Sequence, residues 1–449
     1  MRSPMPWLAG VLVVGIIALA TWSLTRGQAP TGSPAPIRPP VAPKTPAAAE
    51  APAPSATDAA PEPTTTQPTA EKASENPATP SPLQQQIQLS AHRGADWLFR
   101  MNGADGRFSP GQLPALNIEM EGDHLLRQAS AAVALARAAR FTGDERYADR
   151  ATQAILVLLG ETVVDARDKT VRYTGLPSAM LNRVGAAGLL VLAVQELPSP
   201  KKDLLDQAEQ LCNFVRRQQR ADGSVCLTDA PDEARSADED GSPFPAIAVY
   251  GLLRSQQRRP AGWKTDVARK ALAYYCPLWK EHKNVAAVGW QSAALAEAYL
   301  LTKEEAFAKC AFALNDWLCG LQYARLDQLD PRHANWWGGF TESQNGKVTT
   351  SAPTVEGAIC AEALAEACRV AKQAGDLQRQ KRYREALELS LQFLARLQYT
   401  QANTNHFADW YRPRVLGGFH ASAVDGDLRL EYTQHVVCAM VQYATCVAK

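Results

Sequence analysis

The stretch NDWLCGLQYARLDQLDPRHANWWGGF, residues 315–340, contains the pattern that decides the fold. An apolar, helix-like run ends in Leu321 and Gln322, a polar segment follows, and aromatic residues then flank Gly338 and Gly339. Similar plans occur at 97–108 (WLFRMNGADGRF), 214–225 (FVRRQQRADGSV) and 393–419 (FLARLQ to LGGF). This recurrence indicates an internal repeat of helical units, because the same helix end returns along the chain.

The region from about residue 83 to 449 is predicted to form twelve helices. Apolar residues recur there with helical spacing, and alternating runs typical of strands are few. The predicted segments lie near 86–101, 124–142, 144–159, 178–196, 201–219, 243–257, 264–280, 286–301, 303–322, 354–374, 378–398 and 430–447. Short turns follow the even-numbered helices. Long connections follow the odd-numbered helices, except near 281–285.

The helices also alternate in character. Even-numbered segments such as 129–139 (ASAAVALARAA) are rich in small apolar residues on nearly all sides, which is typical of a doubly packed inner layer. Odd-numbered segments such as 202–219 carry a charged face, as expected for an outer layer. Six antiparallel hairpins closing into a ring predict an all-α fold, an (α/α)6 toroid whose five long connections emerge at one end.

The repeated helix end resembles the QW-type motif of the squalene cyclase and protein prenyltransferase toroids. It also resembles the Leu-Gln and Gly-Gly helix ends of polysaccharide-active toroids, including the pectate-lyase-like and glucuronyl C5-epimerase families. The resemblance covers most of residues 90–449 in architecture, whereas the matching motifs are short. It therefore implies a fold more strongly than an activity.

The N-terminal part predicts a membrane anchor and a linker. Residues 6–24 (PWLAGVLVVGIIALATWSL) are uncharged and long enough to cross a bilayer as a helix. The alternative is a signal peptide cleaved after Ala18-Leu19-Ala20, which would release a secreted protein. Residues 28–82 hold 15 of the 30 prolines and predict a disordered linker. We thus expect an anchor at 1–27, a linker at 28–82 and an extracytoplasmic toroid at 83–449.

The composition of the chain limits the classes of partner that we expect. The formal net charge of the 449 residues is +1, so bulk charge does not indicate nucleic-acid binding. Nine cysteines cannot all pair within one chain, and most lie in apolar helical runs where a small buried hydrophobe is the plainer interpretation. The sequence has no CxxC motif and no Cys/His cluster with the spacing of zinc ligands, so it predicts no metal site and no cofactor. The expected partners are a membrane and a polysaccharide ligand.

Polar residues are concentrated at the predicted N-terminal ends of the inner helices, where the long connections also meet. The catalytic candidates are His124, Arg127, Glu356, Tyr432 and His435. The candidates for substrate binding are Asp123, Arg183, Trp290, Gln291, Trp336, Trp337, Trp410 and Arg429. Helix capping is the competing interpretation for Asp123, Asp240, Thr354 and Glu431. Aromatic packing of loops onto helix ends is the competing interpretation for the tryptophans at 336 and 337 and for 406–415.

Three chemistries and one binding role fit these residue types. A lyase or epimerase needs cations at a uronate carboxylate and a Tyr or His that moves the C5 proton. A glycoside hydrolase needs two carboxylates, for which Asp123, Asp240, Glu356 and Glu431 are candidates. Terpenoid cyclisation is disfavoured because Asp238-Glu239-Asp240-Gly241 lacks the last Asp of the D-x-D-D acid motif. A toroid that binds glycan or protein without catalysis remains the alternative.

The predicted linker is testable by limited proteolysis of the full-length protein. Since residues 28–82 cannot bury enough apolar surface to fold, we expect the first cuts to fall there, leaving a resistant fragment that begins near residue 83. Mass spectrometry of the fragments locates the cuts. Protection of 28–82 over the same time course would contradict the division into linker and toroid.

Overall fold

The structure is a computed structural model that describes residues 80–229, 241–344 and 347–447. These residues contain twelve long helices and one short helix. Their bounds are α1 Pro82–Met101, α2 Leu125–Thr142, α3 Glu145–Gly160, α4 Arg183–Glu196, α5 Lys202–Arg217, α6 Phe244–Arg258, α7 Gly262–Glu281, α8 Val285–Thr302, α9 Glu305–Cys319, α10 Ala358–Ala374, α11 Leu377–Arg396, α12 Arg412–Val415 and α13 Leu430–Gln442.

Six of the long helices form a closed inner ring. Helices α2, α4, α6, α8, α10 and α13 each contact the next in that order, and α13 contacts α2. The outer helices α1, α3, α5, α7, α9 and α11 pack against the inner ones. The predicted (α/α)6 toroid and its inner and outer assignment are therefore confirmed. The long connections follow α1, α3, α5, α9 and α11, as the sequence predicts.

The two layers differ in burial in the way their sequences indicate. In α4 every residue from Val184 to Glu196 is buried, whereas α5 buries mainly one face, including Leu204, Leu211 and Phe214. Gly188 lets α4 approach α6 closely, since a Cβ at this position would lie 2.8 Å from the backbone nitrogen of Ala248. Small residues on the inner helices thus allow a tight ring.

The stretch at residues 315–340 forms a hydrogen-bonded junction between outer helices. At the end of α9, the side-chain amide of Gln322 donates to the carbonyl of Gly338 at 3.1 Å and to that of Ala386 in α11 at 2.8 Å. Gln322 also forms an isolated β-bridge with Phe340. One glutamine therefore fixes its own loop and ties two neighbouring outer helices together.

The same junction recurs in full at two other helix ends and in part at a third. Gln219 donates to Gly223 at 3.3 Å and to Val267 of α7 at 2.9 Å. Gln398 donates to Gly417 at 3.0 Å and to Ser90 of α1 at 2.9 Å. Asn102, with a shorter side chain, reaches only Gly106 of its own loop, at 2.8 Å. The bonds of Gln398 join the last outer helix to the first and so close the ring.

A glycine at each junction adopts a left-handed backbone. Gly417 has φ of +89°, and a Cβ there would collide with the carbonyl oxygen of Arg93 in α1. Gly338 has φ of +92° and lies equally close to the carbonyl of Leu389 in α11. Only glycine allows both this conformation and this approach of a loop to a helix backbone.

Short strands in the long connections were not predicted. Strands β1 Gly111–Leu113, β2 Ile118–Glu119, β7 His420–Ser422 and β8 Asp425–Arg429 form an antiparallel sheet in the order β2-β1-β8-β7. Strands β3 Thr162–Val164 and β4 Arg172–Thr174 form a hairpin, as do β5 Glu342–Gln344 and β6 Lys347–Thr349. Runs of two to five residues are too short for alternation to reveal them. The larger sheet joins the first long connection to the last.

The N-terminal predictions fall mostly outside the described residues. The anchor at 1–27 and nearly all of the linker at 28–82 precede residue 80. Among the helices that the structure does describe, none combines the length and apolarity that a bilayer span requires.

One pair of cysteines departs from the expectation that cysteines in apolar helical runs are small buried hydrophobes, because Cys310, in such a run, is paired. Cys276 of α7 and Cys310 of α9 form a disulfide that links adjacent outer helices. Cys212, Cys360, Cys368 and Cys438 are buried free thiols, in agreement with the plainer interpretation. Sequence spacing could not reveal the pair, because the two residues are 34 positions apart.

The glycine junction predicts a large difference between two Gly→Ala variants. Gly417→Ala adds the left-handed strain and a collision with α1, so we expect it to lower the free energy of unfolding by about 3 kcal/mol or more. Gly375→Ala is the matched control, since Gly375 has φ of +72° and a Cβ added there would meet no neighbouring atom within 4 Å. It should cost about 1 kcal/mol. Equal losses in urea denaturation would refute the close-approach argument.

Candidate active site

Predicted site residues meet at the N-terminal ends of α2, α10 and α13. His124 precedes α2, Arg127 lies in its first turn, and Nη2 of Arg127 is 3.3 Å from Oε1 of Glu431 in α13. Arg429 precedes α13, and its guanidinium carbon is 5.9 Å from the ring centre of Tyr432. Glu356 lies in the turn that leads into α10. We call these six residues the rim cluster.

The rim cluster is electrostatically connected. Glu356 is solvent-exposed but surrounded by protein in a concave surface, which raises the pKa of its carboxyl group, as do Glu342 and Glu431. Burial, followed by the nearby Arg127, lowers the pKa of His124. Burial also raises the pKa of Tyr432 to about 12. At neutral pH these effects favour an uncharged imidazole and an uncharged phenol at the rim.

His435 lies on α13 about one turn below the rim and contacts a carboxylate. Its Nδ1 is 2.6 Å from Oε1 of Glu362 in α10. The ring of Trp290 from α8 meets the His435 imidazole edge to face, with centroids 6.2 Å apart. Glu356 is within electrostatic range of His435. The imidazole therefore connects the rim cluster to the interior of the ring.

A small polar cavity lies beside this imidazole. Its volume is about 10 Å³, room for about one water molecule. The polar and aromatic residues that line it are Arg137, Tyr250, Trp290, Glu362, Glu366, His435 and Gln442. The cavity is therefore too small for a ligand larger than a water molecule.

An ion network crosses the ring below His435. Arg137 of α2 donates to Tyr250 of α6 at 2.8 Å and to Glu196 of α4 at 3.3 Å. Its other terminal nitrogen is 3.7 Å from Glu362 of α10. These helices are not all ring neighbours, so the contacts of Arg137 pass through the axis. All four side chains are largely buried.

The network continues towards the C-terminal ends of the inner helices. Glu297 of α8, 1% exposed, pairs with Arg254 at 3.2 Å and with Arg369 at 3.1 Å. Arg369 also pairs with Glu366 at 2.6 Å, and Gln442 donates to Glu366 at 3.0 Å. Residues from all six inner helices thus meet on the axis.

Buried charges in this network have displaced pKa values. Burial alone would raise the pKa of Glu196, but Arg137, Arg254 and Arg140 outweigh burial and lower it to about 2. Burial raises the pKa of the Glu366 carboxyl, and Arg369 offsets this only in part. Glu196 is therefore the firmly ionised carboxylate of the axis, and Glu366 accepts a proton more readily.

Other predicted residues lie apart from His435. Arg183 pairs with Asp229 at 2.9 Å and lies over the Tyr173 ring, while Asp123 pairs with Arg107. Gln291 is buried in α8. Thr354 acts as a cap, accepting the Glu356 amide at 3.4 Å. The acidic candidates at 238 and 240 lie outside the described residues.

The tryptophans of the loops fall into two groups, those packed within their loop and one exposed to solvent. Trp336 stacks on His333 with centroids 4.1 Å apart, and the indole of Trp337 donates to Ala324 at 3.2 Å. Both are half-buried, so packing of the loop accounts for them. Trp410 is 66% exposed and remains available to a ligand.

The sequence analysis missed the residues below the rim. Arg137 lies three residues before Arg140 in α2, and Glu362 and Glu366 lie one turn apart in α10. Glu196 and Glu297 are isolated charges among the apolar residues of α4 and α8. That isolation was the available signal, because a charge on an all-apolar helix must find a partner in the interior. Within the described part of the chain, no three His, Cys, Asp or Glu side chains are placed to hold a metal ion.

The Glu196 carboxylate predicts a specific pH dependence of stability. Its folded-state pKa of about 2 is below the ordinary value of 4.5, so its stabilisation is complete above pH 4.5 and is lost as the pH falls towards 2. Glu196→Gln removes one carboxylate from Arg137, Arg254 and Arg140 in a buried network and should cost about 3–5 kcal/mol at neutral pH. The deficit should shrink by roughly 3 kcal/mol on acidification.

Urea denaturation of wild type and variant across this pH range measures the deficit. Glu385→Gln, on the outer surface of α11 with 65% of its side chain exposed, is the matched control. A Glu196→Gln deficit that stays constant with pH would show that Glu196 is not the titrating group.

Comparisons with known proteins support the architecture. The sequence matches no protein-family profile and no curated protein. Among solved structures, D-mannose isomerase has a TM-score of 0.58 at 12% identity, covering 81% of this chain and 98% of the other. An unsaturated glucuronyl hydrolase from Bacillus sp. GL1, responsible for glycosaminoglycan degradation, has 0.56 at 12%, covering 81% and 98%. An alpha-1,6-mannanase from Salegentibacter sp. HEL1_6 has 0.55 at 11%, covering 81% and 100%. At these identities the similarity shows a shared (α/α)6 toroid fold.

Proposed function

We propose that this protein is an enzyme acting on cell-envelope or extracellular polysaccharide, with its reaction at the rim end of the toroid axis. The observation that carries the proposal is the contact of 2.6 Å between His435 and Glu362 at the base of the rim cluster. An imidazole held by a carboxylate can accept and donate a proton in general acid–base catalysis. The carboxylate orients the ring and favours the proton on Nδ1, which leaves Nε2 for substrate.

The surrounding residues supply the other parts of such a site. Glu356 and Glu431 provide two carboxylates on neighbouring inner helices, as glycoside hydrolysis requires. Tyr432 and His435 are three positions apart on α13 and share one face, so both can serve one bound sugar. For a lyase or epimerase, these same two residues would move the proton at C5.

The structural neighbours agree with this proposal. The proteins named above are sugar-active by their descriptions, and they share with this chain a ring of inner helices. Their activities are not transferable residue by residue at 11–12% identity. They support a carbohydrate as the ligand class, while the reaction rests on the side chains of this chain.

A non-catalytic toroid that binds glycan or protein is the second candidate. The observation that favours it is the narrow axis, where the cavity beside His435 has room for about one water molecule. In that case the rim and the exposed Trp410 would hold a ligand without chemical change.

We propose that the toroid is anchored to a membrane by residues 1–27 and lies on its extracytoplasmic side. The disulfide between Cys276 and Cys310 supports this location, because disulfides persist mainly in oxidising compartments. Release as a secreted protein after signal cleavage is the alternative.

The catalytic proposal is tested with the full-length protein and a panel of uronic-acid, neutral and amino polysaccharides. We expect shortened, unsaturated or epimerised products from at least one of them. His435→Gln keeps a hydrogen-bonding group near Glu362 but cannot carry the proton, so kcat should fall by about 10²–10⁴-fold. Tyr432→Phe should also abolish turnover.

Stability separates catalytic from structural effects in these variants. Both should unfold within about 1–2 kcal/mol of wild type. His92→Gln, an exposed histidine on α1, is the matched control and should retain full activity. Binding of a glycan without any turnover would favour the non-catalytic candidate, and global unfolding of both variants would identify the side chains as core.

A further inference from the structure

The guanidinium group of Arg137 is held by three inner helices besides its own. Its Nε donates to Glu196 of α4 at 3.3 Å, and its Nη2 donates to Tyr250 of α6 at 2.8 Å. Its Nη1 is 3.7 Å from Oε2 of Glu362 in α10. Each nitrogen therefore faces a different helix, and because the group is planar and rigid, fixing two nitrogens also places the third. The side chain is 7% exposed, so solvent screens its charge only weakly.

The two carboxylate oxygens of Glu362 are divided between Arg137 and His435. Oε1 is 2.6 Å from Nδ1 of His435, and Oε2 faces Arg137. Within the described residues these are the two ion pairs of Glu362, whose side chain is 11% exposed. A carboxylate in such a place takes up a proton more readily when no cation is beside it, because burial disfavours the charged form. The charge of Arg137 therefore favours the ionised form of Glu362.

An extra proton on Glu362 and His435 would end on Nε2 of the imidazole. When Nδ1 carries the single ring proton and donates it to Glu362, Nε2 has a free lone pair. One more proton converts the two side chains either to an imidazolium beside a carboxylate or to an imidazole whose Nδ1 accepts from a carboxylic acid. Nε2 carries a proton in both of these forms. In neither of them can it accept a proton from a substrate.

The other charged groups near this pair act against Arg137. Glu356 and Glu366 favour an extra proton by their negative charge. Arg429 offsets the charge of Glu356 only in part, since Glu342 and Glu431 act on it in the opposite direction. Burial keeps the nearby phenol and thiol neutral, because it raises the pKa of each. The charged and titratable groups around the pair are Arg137, Tyr250, Glu356, Glu366 and Cys438.

We propose that Arg137 is a positioning residue for His435. Through Glu362 it holds the imidazole with its proton on Nδ1, so that Nε2 stays free to accept a proton from the substrate. This inference rests on the proposed function, in which His435 carries the proton. It adds a residue from the opposite side of the axis that acts on the reaction through Glu362.

The test observes the ring nitrogens of His435 by nuclear magnetic resonance. Full-length protein is made with histidine labelled at its ring nitrogens, and the His435→Gln variant identifies the His435 signals among those of the seven histidines. The nitrogen chemical shift distinguishes a protonated from an unprotonated ring nitrogen. At neutral pH we expect Nε2 to be unprotonated in wild type and protonated in Arg137→Gln, since the variant removes the charge that opposes the extra proton.

Arg140→Gln is the matched control. Arg140 lies one turn from Arg137 on α2 and pairs with Glu196 at 3.0 Å, and within the described residues it forms no ion pair with Glu362. The control removes the same charge from the same helix without touching the pair, so Nε2 should remain unprotonated. An equal change in both variants, or no change in Arg137→Gln, would overturn the proposal.

A second variant keeps the test decisive if Arg137→Gln does not fold. Combining Arg137→Gln with Glu196→Gln removes one charge of each sign from the axis, which costs less than leaving a buried charge unpaired. Nε2 should be protonated in this double variant. It should be unprotonated in Glu196→Gln alone, which keeps Arg137 beside Glu362. Loss of folding in both Arg137 variants would identify Arg137 as a structural residue and overturn the proposal.

Turnover provides a further measurement on any glycan that wild type converts. Arg137→Gln should lower kcat by about 10²-fold or more and leave KM within about twofold, because the proton acceptor is lost while the rim is unchanged. Arg140→Gln should keep both constants. A rise in KM with kcat unchanged would contradict a role in the proton transfer.

The outcomes separate this inference from the proposed function. Protonation of Nε2 in Arg137→Gln, without turnover of any glycan by wild type, keeps the control of His435 by Arg137 and overturns the enzyme proposal. Turnover by wild type, with an Nε2 that Arg137→Gln leaves unprotonated, overturns the positioning role and leaves the enzyme proposal intact. A protonated Nε2 in wild type at neutral pH overturns both, because His435 could not then accept a proton.

Discussion

Two hydrogen bonds from the amide of Gln398 contribute to closing the ring of outer helices. One fixes Gly417 in its own loop and the other reaches Ser90 in the first helix, so the last outer helix is tied to the first. An amide that makes two such bonds in a buried place is sensitive to small displacements, because each lost partner leaves a carbonyl unsatisfied. Packing of α13 against α2 and the sheet in the order β2-β1-β8-β7 close the ring at the same place. The junctions at Gln322 and Gln219 repeat the principle between the intervening helices.

The packing of the ring also explains why its axis is filled with side chains. Small residues bring the inner helices close together, and the space left on the axis is filled by Arg137, Glu196, Glu297 and their partners. Burying these charges is expensive, and it is tolerated because each is paired several times. The long connections form the surface at the rim, where the inner helices begin. Catalytic or binding groups can vary there without disturbing the axis.

The sequence predicted the architecture because helix ends and helix burial leave direct marks. The glutamines at 322 and 398 and their glycines are visible as repeated letters, and small residues at 129–139 reveal an inner helix. The ion pairs on the axis were harder to predict from the sequence, because Glu362 or Arg137 alone does not indicate which helix carries its partner. The residues of the rim cluster could be predicted one by one from the N-terminal turns of the inner helices. The contact of His435 with Glu362 could not, because it depends on which faces of α13 and α10 pack together. Pairing of Cys276 with Cys310 likewise depends on the approach of α7 to α9.

The last helices of the chain meet the first at one place in the ring, which we call the seam. Its position has a consequence for how the chain folds. Individual hairpins can form as the chain is made, since their contacts are local, but Gln398 and Ser90 are separated by 308 positions. The contact of Arg127 with Glu431 crosses the same seam between α2 and α13. The rim cluster therefore cannot assemble until the last helix docks against the first. Assembly of the rim cluster would therefore report completion of the ring and not helix content.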